Sequence, residues 1–531
     1  MSPPVPEHEI SQRQLFDLSG RTVLVMGLGE SGQAMARWAH ARGARLRLAD
    51  TRPEDAASLS HLPALRDELG QPTTFCGAFD EAWLEGVDLV AWSPGLSLEM
   101  GESAAFAARA REKGIAIAGE LDLFIQALAE LAEGGYRPRL VAITGTNGKT
   151  TTTALAAHLF AACGRSVRAA GNIGPALLAA LGEAIASDAL PDIWVLELSS
   201  FQLAASQGFE PDAATILNLT EDHLDWHVDM ASYAAAKRRI HGGKAWVVSN
   251  RDDPLTEPDA PAPAVDTKPA GGRAARRQAQ APLGRKVSRF GLDAPRAAGD
   301  FGLVQEGGMA WLVAAEPEDD LPGKRNDQPQ PFHVRRLMPA EALPLVGQHN
   351  QANFLAALAL GSALGLPLAP MLRAARDFRL AEHRCEEVAC VSGVSFINDS
   401  KGTNVGATVA ALGSMERGCV LIAGGVGKGQ DFAPLARAAA RREAQVLLIG
   451  KDAAVIAAAL DAESVQHEAC ANLEDAVRRG MSLASPQGTV LLSPACASFD
   501  MFRDYADRGE AFRRAVRDCA ISAGQPLELA C

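Results

Sequence analysis

Lys149 and Thr150 close the run Thr144-Gly145-Thr146-Asn147-Gly148-Lys149-Thr150-Thr151, set between an apolar segment, Leu140–Ile143, and an alanine-rich helical stretch. A glycine loop between strand and helix turns backbone N–H groups and a helix N-terminus toward phosphate oxygens. The lysine adds charge at the β- and γ-phosphates, and the hydroxyl can bind Mg2+. The run is a shortened relative of the P-loop, because the full form needs glycine at position 143, where Ile143 stands. ATP is therefore the first expectation. A second glycine run, Gly27-Leu28-Gly29-Glu30-Ser31-Gly32, follows Thr22–Met26, and Asp50 ends the next apolar segment. This spacing suits a dinucleotide such as NAD, with the acid on a ribose hydroxyl. It suits another nucleotide-like diphosphate, or a ligand-free tight turn, as well.

Acids and cations of the right type lie further along. Glu197 ends the apolar segment Trp194–Leu196, the position where a carboxylate on a parallel strand meets ligands and can hold Mg2+; a solvated strand-end glutamate is the alternative. His223 sits among Glu221, Asp222 and Asp225, a polar rim able to bind metal, or else a capped helix start. Lys237, after three alanines, reads locally as a helix-surface lysine. The last third carries Asn398-Asp399-Ser400-Lys401-Gly402-Thr403-Asn404, Gly424-Gly425-Val426-Gly427-Lys428-Gly429 and Ser493-Pro494-Ala495-Cys496-Ala497-Ser498-Phe499-Asp500, each just past an apolar segment. If those segments are parallel strands, the three runs meet at one sheet edge and form a pocket for a small anion. Cys496 has no histidine placed to activate it.

The elements that must position these residues are short. Val23–Met26, Leu46–Ala49, Leu89–Trp92, Leu140–Thr144, Trp194–Leu198, Ala214–Leu217, Trp246–Ser249, Val394–Ile397, Val420–Ala423, Val446–Ile449 and Val490–Ser493 read as buried strands. Many are separated by alanine-rich segments with helical spacing, such as Thr151–Ala162 and Asn353–Leu364. Alternation of this kind predicts α/β layers with mostly parallel sheets. The 531 residues suffice for three or four domains. New domains are expected to begin between 115 and 138 and near 380–384. Residues 254–287 and 316–331, rich in proline and charge, read as linkers or surface insertions.

Composition excludes several partners. Lys and Arg total 51 against 64 Asp and Glu, a net charge of −13, which argues against gripping nucleic acid or an anionic membrane. Aromatic residues are only 5%, too few for base-stacking platforms. Nine dispersed cysteines without a CxxC pair point to thiols in a reducing compartment, and the N-terminus lacks a secretory pattern. No apolar run is long enough to span a bilayer. A cytoplasmic protein, expected to be a monomer, follows.

Together, TGTNGKTTT at 144–152, ELSSFQL at 197–203, NLTEDHLD at 218–225, GQHNQANFLAAL at 347–358, EHR at 382–384, NDSKGTN at 398–404 and SPACASFD at 493–500 resemble the Mur ligase family. The likeness runs from Gly27 to about Gly509 and is greatest to the members that add D-glutamate. It implies three domains: a Rossmann-like UDP-substrate domain (1–117), a P-loop-type ATP/Mg domain with a Pro/Ala-rich insertion near 254–335 (118–381), and a Rossmann-like amino-acid domain (382–531). The implied reaction is ATP-dependent joining of D-glutamate to UDP-N-acetylmuramoyl-L-alanine through an acyl phosphate, in cytoplasmic peptidoglycan precursor synthesis. Another Mur-type specificity is the alternative, and an NAD-dependent oxidoreductase a more distant one.

The resemblance also assigns roles. Gly145, Thr146, Asn147, Gly148, Lys149, Thr150, Thr151, Asn353, Arg384 and Asp399 would bind ATP, with Lys149, Glu197, His223 and Lys237 catalytic. Two Mg2+ would be held by Thr150, Glu197, His223 and Lys237, the last as a CO2-derived carbamate. Ser31, Asp50, Thr51, Arg52, Ser93 and Asn172 would bind the UDP-linked substrate. Lys401, Thr403, Lys428, Ser498 and Tyr505 would bind D-glutamate. Val426 departs from the pattern, which has an acid there; neighbouring Asp431 is the expected substitute.

Overall fold

A computed structural model describes residues 18–224, 226–258, 286–318, 331–345, 347–379, 382–415, 417–484 and 487–524. Its twenty strands form three sheets. The first sheet holds β1 (Thr22–Met26), β2 (Arg45–Asp50), β3 (Thr73–Cys76), β4 (Leu89–Trp92) and β5 (Ala116–Gly119) in the order β3-β2-β1-β4-β5, all parallel. Strand order reverses beside β1, so the glycine loop after β1 lies at the switch point where α/β sheets bind ligands. β1 and β4 are buried throughout, as a strand with helices on both faces must be.

The central sheet takes β6 (Arg139–Thr144), β7 (Val167–Gly171), β8 (Ile193–Glu197), β9 (Ala213–Ile216), β10 (Trp246–Asn250), β11 (Val287–Phe290), β12 (Phe301–Glu306), β13 (Met309–Pro317) and β14 (Phe332–Pro339). Their order is β14-β13-β12-β11-β10-β9-β6-β8-β7. Each adjacent pair from β7 across the sheet to β12 is parallel, while β13 is antiparallel to both β12 and β14. Between the two stretches expected to be linkers or insertions, the chain adds strands to this sheet. The stretches 259–285 and 319–330 lie outside the described residues, but 287–317 folds into the sheet. Its strands escaped notice because turns such as Gly307-Gly308 and exposed charges interrupt them; β14 is mostly exposed.

The third sheet holds β15 (Glu386–Val391), β16 (Val394–Asn398), β17 (Val420–Gly424), β18 (Gln445–Ile449), β19 (His467–Ala469) and β20 (Thr489–Leu492). The order is β15-β16-β20-β17-β18-β19, with β15 antiparallel and the rest parallel. β16, β20 and β17 are adjacent, so the runs after them do share one edge.

β5 pairs with β4, which carries the first sheet to Gly119. The helix Glu120–Leu131 then begins at once and packs between the first two domains, in a core that also contains Leu177, Trp194 and Leu203. No described helix is long and apolar enough to cross a membrane. Seven of the described cysteines are free thiols.

Candidate active site

β6 delivers the glycine loop and the helix Lys149–Ala161 continues it. Gly148 has φ +81°, and a Cβ there would lie 2.5 Å from the Asn353 carboxamide oxygen. Only glycine allows both the turn and the approach of the helix Gln348–Ala363. The loop is braced from β9: Asn147 N–H donates to Asn218 Oδ1 at 2.8 Å, and Thr220 N–H donates to Thr146 Oγ1 at 3.0 Å. Lys149 Nζ donates to the Gly145 and Thr146 carbonyls at 2.8 and 2.7 Å, and burial lowers its pKa against the pull of Glu197 and Asp222.

β8 ends on Glu197, which is 1% exposed. Its Oε1 accepts from Asn172 Nδ2 at 2.7 Å, while Oε2 has no partner among the described residues. A buried carboxylate oxygen without a donor is costly unless a cation reaches it. Glu197 thus fits a hard divalent cation. His223 has φ +56°, a left-handed conformation that a non-glycine residue adopts at a cost. Its Nε2 lies 3.5 Å from Asp222. Burial pushes its pKa down to about 4; Asp222 opposes this, while Lys428, Lys149 and Lys237 reinforce it. The imidazole is neutral near pH 7 and can ligate a metal.

Lys237 is not a surface lysine. It is 1% exposed beneath the glycine loop, donating to Thr144 Oγ1 at 3.2 Å and the Gly145 carbonyl at 2.9 Å, with the Tyr233 ring 4.8 Å away. Burial drives the amine well below its ordinary pKa, helped by Lys149, and no acid within ion-pair distance restores it among the described residues.

The third domain closes the cleft. A cavity of about 420 Å³ is lined by Thr146, Asn147, Lys149, Thr150, Glu197 and His223 from the middle domain, and by Arg384, Asp399, Lys401 and Thr403 from the last. Gly148, Thr151, Asn172 and Asn353 also line it. Burial raises Asp399 to about 6 against its bonds from Ser493 Oγ (2.7 Å) and Cys385 N–H (3.3 Å). Lys401 Nζ stands 3.6 Å over the Tyr505 ring, and burial, with Arg384, lowers it to about 8. Lys428, Ser498 and Tyr505 lie outside this cavity, yet Lys428 acts electrostatically on His223. Gly145 also lies outside it, packed on Leu217.

Ser31, Asp50, Thr51, Arg52 and Ser93 gather apart from this cavity, at the edge of the first sheet. A Cβ on Gly32 would overlap the Gly27 carbonyl, which explains glycine there. Asp50 Oδ2 accepts from Leu28 N–H at 2.8 Å and from Arg52 at 2.7 Å. Burial raises the Asp50 pKa, but Arg52 and these N–H donors outweigh it and hold the carboxyl below its usual range. This carboxylate stiffens the glycine loop directly. Asn172, expected at the UDP-linked substrate, donates from its amide to Glu197.

At the 424–429 loop, the two nearby acids, Asp431 and Asp452, have different partners. Asp431 Oδ1 caps a helix through Ala433 N–H, and it is Asp452, from beyond β18, that accepts from Gly427 N–H at 2.7 Å. Val426 is bridged to Ala497. Sequence reasoning also passed over His349, Asn350 and Asp252, which line the cavity, and Arg508. Arg508 is 1% exposed and ties Ser400 to the Cys496 carbonyl. The GQHN run held a signal for His349 and Asn350; nothing local marks Arg508 as buried. Glu382, His383 and Glu510 cluster within 4.8 Å. Asn398 Oδ1 accepts from Ser400 N–H, so its Nδ2 donates to His383 Nδ1; Nε2 then carries the proton and is no metal ligand.

Three family models match the chain: a Mur ligase MurD-like N-terminal domain over 21–119, a Mur ligase middle domain over 143–268, and a Mur ligase glutamate ligase domain over 383–496. UDP-N-acetylmuramoylalanine–D-glutamate ligases of Burkholderia mallei (strain SAVP1) and Burkholderia thailandensis are each 50% identical over 517 residues, covering 95% of this chain and 98% of theirs. Among solved structures, a pseudomurein peptide ligase type C from Methanothermus fervidus has a TM-score of 0.52 at 15% identity, covering 94% of this chain and 100% of that one. The UDP-N-acetylmuramate-alanine ligase of Thermotoga maritima has 0.51 at 19%, covering 94% and 99%. At these identities the structures share the fold alone.

Proposed function

The chain belongs to the Mur ligase family, and on that premise we propose that it is the ATP-dependent ligase joining D-glutamate to UDP-N-acetylmuramoyl-L-alanine in peptidoglycan precursor synthesis. The observation that carries this reading is the single cavity in which Lys149, Glu197 and His223 meet Arg384, Asp399 and Lys401.

A carboxylate is a poor acyl donor because oxide is its leaving group. Transfer of the γ-phosphoryl group of ATP to the L-alanyl carboxylate gives an acyl phosphate. The D-glutamate amine attacks its carbonyl carbon, loses a proton, and phosphate departs from the tetrahedral intermediate. Lys149 and the loop N–H groups offset charge on the transferring phosphoryl. Arg384 and Asp399 flank the nucleotide, while Lys401, Thr403, Lys428, Ser498 and Tyr505 form the amino-acid pocket. Ser31, Asp50, Thr51, Arg52 and Ser93 hold the UDP end. Thr150, Glu197, His223 and a carbamate on Lys237 would hold Mg2+, which supplies further charge neutralisation when bound. Burial disfavours protonation of the Lys237 amine, which suits its addition to CO2 to yield a carbamate and a proton. Closure of the third domain on the second excludes water from the acyl phosphate.

Purified protein with ATP, Mg2+ and UDP-N-acetylmuramoyl-L-alanine should release phosphate only when D-glutamate is added. Equal release with L-lysine or D-alanyl-D-alanine, or none at all, overturns this specificity.

A further inference from the structure

The helix Val405–Gly413 of the third domain crosses the nucleotide cavity, and both its ends touch the middle domain. At its N-terminus, Asn404 Nδ2 donates to Asn147 Oδ1 of the glycine loop at 3.0 Å and lies 3.3 Å from Asp222 Oδ2, the carboxylate beside His223. Asn404 is 6% exposed, and its own Oδ1 caps the helix by accepting from Ala407 N–H at 2.9 Å. One carboxamide therefore serves two separate tasks with its two ends. Two residues on, Gly406 meets the middle domain so closely that a Cβ would stand 2.9 Å from Asn147 Nδ2 and 3.1 Å from Thr220 Oγ1. Thr220 is the residue that braces Thr146 of the loop. At the C-terminal end, Ser414 Oγ reaches His349 Nδ1 at 3.4 Å, on the opposite side of the cavity. Between these anchors only small side chains, Ala407, Ala410 and Ala411, face the cavity, which leaves room for a nucleotide beneath the helix.

We propose that this helix is the clasp of domain closure and that Asn404 is a positioning residue, aligning the glycine loop and the Asp222–His223 pair when the third domain docks. Neither residue touches a reacting atom in this scheme. Asn404 works through Asn147 and Asp222, and Gly406 works by leaving the docking surface unobstructed. The proposal rests on the ligase reading for its activity assay, but the docking contact itself does not depend on that reading.

Two variants separate the clasp from helix stability. Asn404→Asp keeps the oxygen that caps the helix but replaces the donor with a carboxylate facing Asp222. Gly406→Ala favours helix formation while placing a methyl group at the interface. A purely structural role predicts unchanged or improved behaviour for both. The clasp predicts that kcat for D-glutamate-dependent phosphate release falls at least about tenfold in each, the scale of one lost hydrogen bond to a charged group, while the melting temperature does not fall. It also predicts that small-angle scattering, which should show the full-length protein contracting with a non-hydrolysable ATP analogue, shows less contraction in both variants. Turnover within about twofold of the unmodified protein, together with equal contraction, overturns the proposal. If the unmodified protein releases no phosphate, the ligase reading fails by itself. The scattering then decides the clasp: equal contraction in the variants refutes it, and reduced contraction supports it.

Discussion

Asn172→Ala distinguishes two roles that the same residue could play. Asn172 Nδ2 donates to Glu197 Oε1 at 2.7 Å, and the glutamate is 1% exposed. A hydrogen bond to a charged group contributes about 1.5–3 kcal/mol, because an ionised acceptor is expensive to leave half-satisfied away from water. At about 1.4 kcal/mol per factor of ten, its loss corresponds to roughly 10- to 150-fold. If Asn172 acts through Glu197, that factor falls on Mg2+: the half-saturating Mg2+ concentration for phosphate release rises by about one to two orders of magnitude. The KM for UDP-N-acetylmuramoyl-L-alanine, measured at saturating Mg2+, then moves by less than about twofold. If Asn172 instead binds that substrate, the pattern reverses. The assay is steady-state phosphate release over a matrix of the two concentrations. An unchanged Mg2+ requirement with a raised substrate KM would refute the argument from the 2.7 Å contact.

Lys237→Ala is expected to abolish turnover, and short carboxylic acids added to the variant should restore part of it without bicarbonate; wild-type rates in the variant would remove the carbamate. Val426→Asp should leave turnover within about twofold, because Asp452 already holds the loop through Gly427 N–H, whereas Asp452→Ala should raise the KM for D-glutamate. A large gain from Val426→Asp contradicts this. Glu120 is buried between the first two domains, accepting from Leu178 N–H at 3.0 Å, and burial raises its pKa to about 7. An acid whose pKa is raised on folding keeps its proton while the unfolded chain ionises. Stability is therefore lost between about pH 4.5 and 7 and stays lost above, by roughly 3 kcal/mol. Glu120→Gln should remove that loss, which urea unfolding at pH 5 and pH 8 will show; an equal decline in both proteins refutes it.

The local order of residues already determined much of this molecule. A strand, a glycine run with lysine and hydroxyl, and a helix form a phosphate loop wherever they occur in that order, since the donors are backbone groups of the segment itself. The runs after β16, β17 and β20 were legible for a related reason: parallel strands present their following loops on one side. Strands β11, β12 and β14 were not legible, because they bury only part of their residues and lack the continuous buried run that marks β6 or β8; β13, with Leu312–Ala315 buried in one run, is the exception.

What local pattern could not carry was which side chains from distant segments share one environment. Lys237 looks like a surface lysine until the loop of β6 closes over it, and burial, not neighbouring sequence, lowers its pKa. Asn172 pairs with Glu197 because β7 and β8 lie side by side. Asp452 reaches the 424–429 loop, and Asp431 does not, because β18 runs parallel to β17 and ends beside it. Asn404 meets Asn147 only when two separately folded domains dock. The sequence determined the chemical groups and the local backbone that displays them. Their pairings, protonation and mutual distances depend on through-space proximity and desolvation, and those arise only in the tertiary structure.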